Sequence, residues 1–150
     1  MNYGPQDFCR FRMPCDNDPS RAEAQVRDKV ATFNRSEFAL LLGISITDAR
    51  DGFARAVMEC PGKCNPNKVA HGGAIFSLAD QAFGIAANCA GVHRVAVSVH
   101  ILYIAPATGT LVAVAERVAD NGSCDTYRVM VSQGERIVAE FEGVAFRVTE

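Results

Sequence analysis

The 150-residue chain lacks the marks of a fibrous, secreted or nucleic-acid-binding protein. Glycine and proline together number 18 of 150, too few for a collagen-like or low-complexity chain. Neither sign of charge dominates. Lys+Arg 15 against Asp+Glu 17 leave a net charge of −2, which offers no basic footprint to nucleic acid or an anionic membrane. No cationic, then apolar, then small-residue signal peptide opens the chain. The greasiest stretch, Gly72 to Ala90, is broken by Ser77, Asp80, Gln81 and Asn88, which excludes a bilayer span. Familiar catalytic signatures are missing too: there is no G-x-S-x-G elbow, P-loop, G-x-G-x-x-G or H-E-x-x-H.

What is present is globular. Hydrophobic residues make up 49%, enough at this length for one domain with a real core. The six cysteines, at positions 9, 15, 60, 64, 89 and 124, are even in number. A chain this apolar nevertheless needs no disulfide staples, so reduced thiols in a cytoplasmic protein are expected. The Cys60-x3-Cys64 spacing is looser than most zinc knuckles, and no metal is expected there.

Residues 1–20 carry Pro5, Pro14 and Pro19 without periodicity and read as an irregular leader. Ser20 and Glu23 have the capping-box spacing, and Ala22, Val26, Val30 and Phe33 recur at helical intervals, predicting a helix over 21–33. Ser36 is placed to cap a second short helix, which Gly43 stops after Leu42. The period then changes to two. Ile44 and Ile46 start a strand that turns at Asp51-Gly52, and Ala54, Ala56, Met58 and Cys60 share one side of the return strand. A loop with Pro61, Gly62 and Pro66 leads to His71-Gly72-Gly73 and an apolar helix. After Gly91, β-branched runs at 94–104, 110–120, 123–132 and 136–148 predict an antiparallel meander. A helix with a single charged residue must be covered nearly all round, so a curved antiparallel sheet wrapped around it is the economical arrangement. The fold class is α+β, with a leader and helix over 1–35 ahead of a domain over 36–150.

Asp80 is that single charge, among Phe76, Ser77, Phe83 and Gly84 one turn away. No Lys or Arg lies three or four residues off to pair it, so its pKa is expected to rise. It is either a helix-edge carboxylate facing solvent or a general base or nucleophile in a partly desolvated cleft. His71-Gly72-Gly73 removes side-chain bulk where helix amides are unpaired and the macrodipole is positive, which suits an oxyanion. The plain alternative is an ordinary loop-to-helix junction. His71 and Asp80 stand about 13.5 Å apart along a helix and on opposite faces, so one chain cannot easily aim both at one small group. If both act on one substrate, a second copy must supply one of them.

The run Asn65-x5-His71-Gly72-Gly73-x6-Asp80, with Ser98 eighteen residues further on, resembles the hotdog-fold acyl-CoA thioesterases, and within them the PaaI-like branch. The resemblance covers residues 36–148. It implies a long antiparallel sheet around one central buried helix, here with an extra N-terminal helical segment. It implies hydrolysis of an acyl-CoA to free acid and CoA. Asp80 would act as nucleophile or base, the Gly72 N–H as oxyanion donor, Asn65 and His71 on the thioester side, and Ser98 on a water near Asp80. Gly73, Phe76 and Phe83 would contact substrate, in an apolar pocket shared with Ile75, Ala79 and Val97. Members use no metal or tightly bound cofactor, build the site across a homodimer, and are commonly homotetramers. Lys63, Lys68, Arg94, Arg117 and Arg128 are the cations available to CoA phosphates, although a solvated surface role is the plainer reading of each. Two other functions fit the fold: acyl-CoA hydration or dehydration, and acyl-CoA binding without turnover.

Overall fold

Mostly small buried residues alternating with larger, half-exposed ones set the two strands that carry the central helix, one before it in the chain and one after. The computed structural model describes residues 19–148, so Cys9, Cys15 and nearly all of the expected leader lie outside the described residues. Helices α1 (Pro19–Asn34) and α2 (Glu37–Leu42) precede strands β1 (Ser45–Arg50) and β2 (Phe53–Glu59). Helix α3 (Gly72–Asn88) follows, then β3 (Arg94–Tyr103), β4 (Thr110–Asp120), β5 (Cys124–Gln133) and β6 (Arg136–Arg147). Helix α1 starts at Pro19, so Ser20 sits in its first turn instead of ahead of it. Ser36 precedes α2, but its hydroxyl donates to Phe33 O at 2.8 Å and does not cap. Gly43 ends α2 in the left-handed conformation, φ 61°, as its position after Leu42 predicts.

The six strands form one antiparallel sheet in the order β1-β2-β4-β5-β6-β3. The expected meander exists for β4, β5 and β6, but β3 lies outside it. The chain leaves β2, crosses the sheet face as α3 and re-enters at the far edge beside β6, which leaves the place next to β2 for β4. Helix α3 has its most extensive sheet contacts with β2 and β4. There Ala54, Ala56, Ala113 and Ala115 are fully buried, matched by Ala79 and Ala82 of the helix. Toward β5 and β6 the contact becomes aromatic. The Phe83 ring meets Tyr127 edge-on at 5.3 Å and Phe141 at 5.7 Å, and Phe76 meets Phe141 edge-on at 5.6 Å. Gly143 on β6 makes room for these rings, because a Cβ there would stand 2.9 Å from Phe83 Cζ.

Helix α1 is tied down at its end. The Asn34 side chain accepts from Ile46 N–H at 2.7 Å and donates to Ile46 O at 3.1 Å. Gln81 Nε2 donates to Phe33 O at 3.1 Å, and the Phe33 ring lies over Gly84. Thus α1 reaches α3 at Gln81 and Gly84, and its residues Gln25, Asp28, Lys29 and Thr32 line a cleft with Cys89 just past the helix end. The helix is not covered nearly all round: Gly73 and Asp80 stay exposed, and Ser77 is half-buried. Past the opposite end of α3, Arg94 Nε and Asp125 Oδ2 form an ion pair at 2.8 Å, with side chains only 4% and 2% exposed. Arg94 also donates to Ala87 O, and the Tyr127 hydroxyl to Asp125 Oδ2. No described helix is long and apolar enough to cross a membrane.

Gly143→Ala is expected to lower unfolding free energy by about 1–3 kcal/mol, the cost of overpacking a filled core. Urea unfolding measures it; an unchanged midpoint would mean that the Phe83 and Phe141 rings give way freely.

Candidate active site

The tip of α3 is organised by a loop that hydrogen-bonds to itself. Asn65 Oδ1 accepts from Asn67 N–H at 2.9 Å and from Val69 N–H at 3.4 Å. These bonds leave Asn65 Nδ2 without a partner among the described residues. Lys68, with φ 61°, is the one described non-glycine residue in the left-handed region and closes this turn. His71 N–H then donates to Lys63 O at 2.8 Å, anchoring the loop to the helix start.

His71 is the N-cap, its Nδ1 accepting from Gly73 N–H at 2.9 Å. With Nδ1 an acceptor, the neutral imidazole carries its proton on Nε2. Ala74 and Ile75 N–H both donate to His71 O. Of the first helical amides, Gly72 N–H alone has no partner among the described residues, and it sits at the positive end of the helix dipole. Gly72 lines a cleft of about 330 Å³ with Asn65, Ile75, Tyr103, Ile104 and Pro106. Two donors, Asn65 Nδ2 and Gly72 N–H, thus belong to residues of one cleft. Tyr103 was not legible as a site residue. Its hydroxyl donates to Gly72 O at 2.9 Å, and burial raises its pKa, which keeps the phenol protonated as a donor. A second cleft of about 410 Å³ is lined by Phe38, Leu42, Lys63, His71, Gly73 and Ser77, among others.

Asp80 lies further along α3, exposed in the single chain, with no hydrogen bond or ion pair among the described residues. Surrounding protein already disfavours its charged form, and this desolvation raises its pKa with no cation to offset it. Ser98 is exposed on β3, immediately after a register shift between Ala96 and Ser98, where a bulge re-aims the strand. No hydrogen bond joins Asp80 or Ser98 to Asn65, His71 or Gly72. The chain therefore assembles the Asn65–Gly72 half of the expected site and leaves the Asp80 and Ser98 half apart.

Several expected contacts are relocated. Phe83 is 2% exposed and packs within the aromatic core, and Phe76 packs edge-on against Phe141. Ala79 is fully buried while Val97 is exposed on β3, so the apolar pocket expected from Ile75, Phe76, Ala79 and Val97 does not form in one chain. Phe38 and Leu42 supply an apolar cleft wall instead. Among the cations, Arg94 is buried on Asp125, Arg117 pairs with Asp51 and Asp125, and Arg128 pairs with Glu140. Lys63 Nζ donates to Glu59 O at 2.7 Å. Cys60, Cys64, Cys89 and Cys124 are all unpaired. No group of three or more His, Cys, Asp or Glu side chains among the described residues is placed to hold a metal ion.

Residues 67–140 match the family model of the Thioesterase superfamily. Acyl-coenzyme A thioesterase PaaI of Escherichia coli is 34% identical over 122 residues, which span 79% of this chain and 87% of that protein. This chain belongs to the thioesterase superfamily. The structure of the E. coli PaaI protein has a TM-score of 0.78 at 30% identity, covering 84% of this chain and 95% of that one. A mutant of the phenylacetic acid degradation protein PaaI from Thermus thermophilus gives 0.72 at 32% identity, over 75% and 100% of the two chains. The thioesterase is a PaaI-like thioester hydrolase of the hotdog fold, as the family resemblance implies. Its α+β sheet, central helix and N-terminal helix follow that expectation.

Ionising Asp80 costs this thioesterase stability. At pH below the ordinary carboxylate value of about 4, the acid is neutral in folded and unfolded chains alike and the cost is absent. It appears as pH rises through the raised folded-state pKa. Asp80→Asn, which cannot ionise, is expected to be the more stable protein at pH 7, the advantage fading by about pH 3. Paired thermal melts across that range test it; an Asn variant less stable at pH 7 would contradict the desolvation.

Proposed function

We propose that this thioesterase hydrolyses an aryl-acetyl or small to medium acyl-CoA ester to the free acid and CoA, at a site built by two copies of the chain. The observation that carries the reading is that Gly72 N–H and Asn65 Nδ2, both without a partner among the described residues, belong to one cleft. A thioester carbonyl is already electrophilic. What it requires is an oxygen nucleophile and donors for the negative charge that develops on the carbonyl oxygen.

In this reading the substrate oxygen accepts from Gly72 N–H and Asn65 Nδ2. Asp80 of a second copy attacks the carbonyl carbon itself or takes a proton from a water that does, and Ser98 orients that water. The tetrahedral intermediate collapses, the C–S bond breaks, and the CoA thiolate leaves as the thiol with the proton that Asp80 took from water. Where Asp80 itself attacked, a water then hydrolyses the acyl-Asp80 anhydride, which frees the acid and supplies the proton for the thiol. The raised pKa leaves Asp80 more basic than a free carboxylate, which favours proton transfer near neutrality. His71 holds the tip through Gly73. The cleft beside Phe38 and Leu42 suits an apolar acyl group of modest size. The name of the E. coli relative supports the CoA ester.

Two features support a partner copy. Asp80 is exposed and stands apart from the donors. Edge strand β3 exposes Val95, Val97, Val99, Leu102 and Tyr103, whereas the other edge, β1, is short and bears Thr47, Asp48 and Arg50. An apolar, unprotected edge invites pairing. A homodimer at minimum, assembling as a homotetramer in the cytoplasm without metal or cofactor, completes the proposal. Neither nucleic acid nor membrane is a partner in it.

A thiol-release assay over aryl, short, medium and long acyl-CoA esters tests the substrate class; release from none of them would reject it. Asp80→Asn is expected to lose at least about 10²-fold in kcat, and Ser98→Ala less. Wild-type turnover by the Asn variant would remove Asp80 from the chemistry. Mixing Asp80→Asn with Asn65→Ala chains should restore about a quarter of wild-type activity, since random dimers leave one site whole in half the molecules. No restoration would argue against a shared site.

A further inference from the structure

The peptide group between Gly72 and Gly73 is gripped at both ends. Its oxygen accepts from the Tyr103 hydroxyl at 2.9 Å, and its N–H donates to His71 Nδ1 at 2.9 Å. The open N–H of Gly72 belongs to the preceding peptide group, whose oxygen, His71 O, accepts from Ala74 and Ile75. Between these two planes the only freedom is rotation about the Gly72 backbone, and glycine resists such rotation least of all residues. Locking the second plane therefore adds to the hold that the His71 O bonds already give the open amide, and removes the play left at Gly72. The ring also fits the residue beneath it: a Cβ on Gly72 would lie 3.2 Å from Tyr103 Cζ. Tyr103 reaches the tip from the end of β3, 31 residues away in sequence, and lines the same cleft as Asn65.

We infer that Tyr103 is a positioning residue for thioester hydrolysis, its hydroxyl acting through the Gly72 carbonyl to aim the Gly72 N–H at the substrate oxygen. This role rests on the acyl-CoA reading of the site. The phenol touches no reacting atom. It removes a rotation that would otherwise have to be frozen on the way to the transition state, so it belongs in kcat and not in ground-state binding.

Tyr103→Phe keeps the ring and deletes the hydroxyl. Steady-state kinetics on the best acyl-CoA substrate should show kcat down by about 10–100-fold, with KM within about twofold of wild type. The thermal midpoint and the affinity for a non-hydrolysable thioether analogue, measured by calorimetry, should be unchanged. Exchange of the Gly73 amide hydrogen should quicken. Wild-type kcat in Tyr103→Phe would overturn the role while leaving the acyl-CoA reading intact. So would a loss that appears in KM, in analogue affinity or in the thermal midpoint in place of kcat. Failure of the wild-type protein to release thiol from any acyl-CoA ester would overturn the reading itself, and the role with it.

Discussion

Helix α3 can sit against the sheet as it does because four of the six buried residues of β2 and β4 are alanines, met by alanines of its own, with Met58 and Leu111 buried at one end. Side chains of one carbon on both surfaces let two backbones approach without voids, and interiors tolerate little else. That contact fixes where the rest can go. The tip must emerge between the loop at Asn65 and the end of β3, so a residue as distant in sequence as Tyr103 can reach it. The outward stripe of the helix stays largely uncovered between Gly73 and Asp80, because the sheet occupies the inner side and α1 meets the helix from Gln81 onward.

Much of the fold was legible in the sequence because it is local. The two-residue period from Ile44 to Cys60, the Asp51-Gly52 turn and Gly43 after Leu42 each encode their structure in neighbouring residues. The place of β3 was not legible. Four β-branched runs in succession read as a meander, and nothing in any one run says that a helix has already carried the chain across the sheet. The capping role of Ser36 was not realised, since a hydroxyl at the right spacing can bond elsewhere, as Ser36 does to Phe33 O, and Ser20 lies inside α1.

The candidate site was legible where its residues are close in sequence. His71, Gly72 and Gly73 follow from what a helix start requires, and Asp80 from its isolation among apolar neighbours. What spacing could not supply was which amide is left over. His71 takes up the Gly73 N–H, so the open donor is Gly72 alone. Phe76 and Phe83 share a neighbourhood with Asp80 along the chain, yet the helix turns them toward Phe141 and Tyr127, Phe83 into the core and Phe76 against its edge. Phe38 and Leu42 gave no sign of lying near the tip, because only the folded chain brings α2 against it.

At the opposite end of α3, about 25 Å from the tip, the Arg94–Asp125 pair is closed off from water. Dissolved ions weaken exposed pairs such as Arg50–Asp48 and reach a sealed pair poorly. The molecule therefore has a corner largely indifferent to ionic strength, fastening the start of β3 to β5 and to the last turn of the helix. A change of salt would be felt first on the surface, while the spacing between strand and helix that the tip relies on is kept.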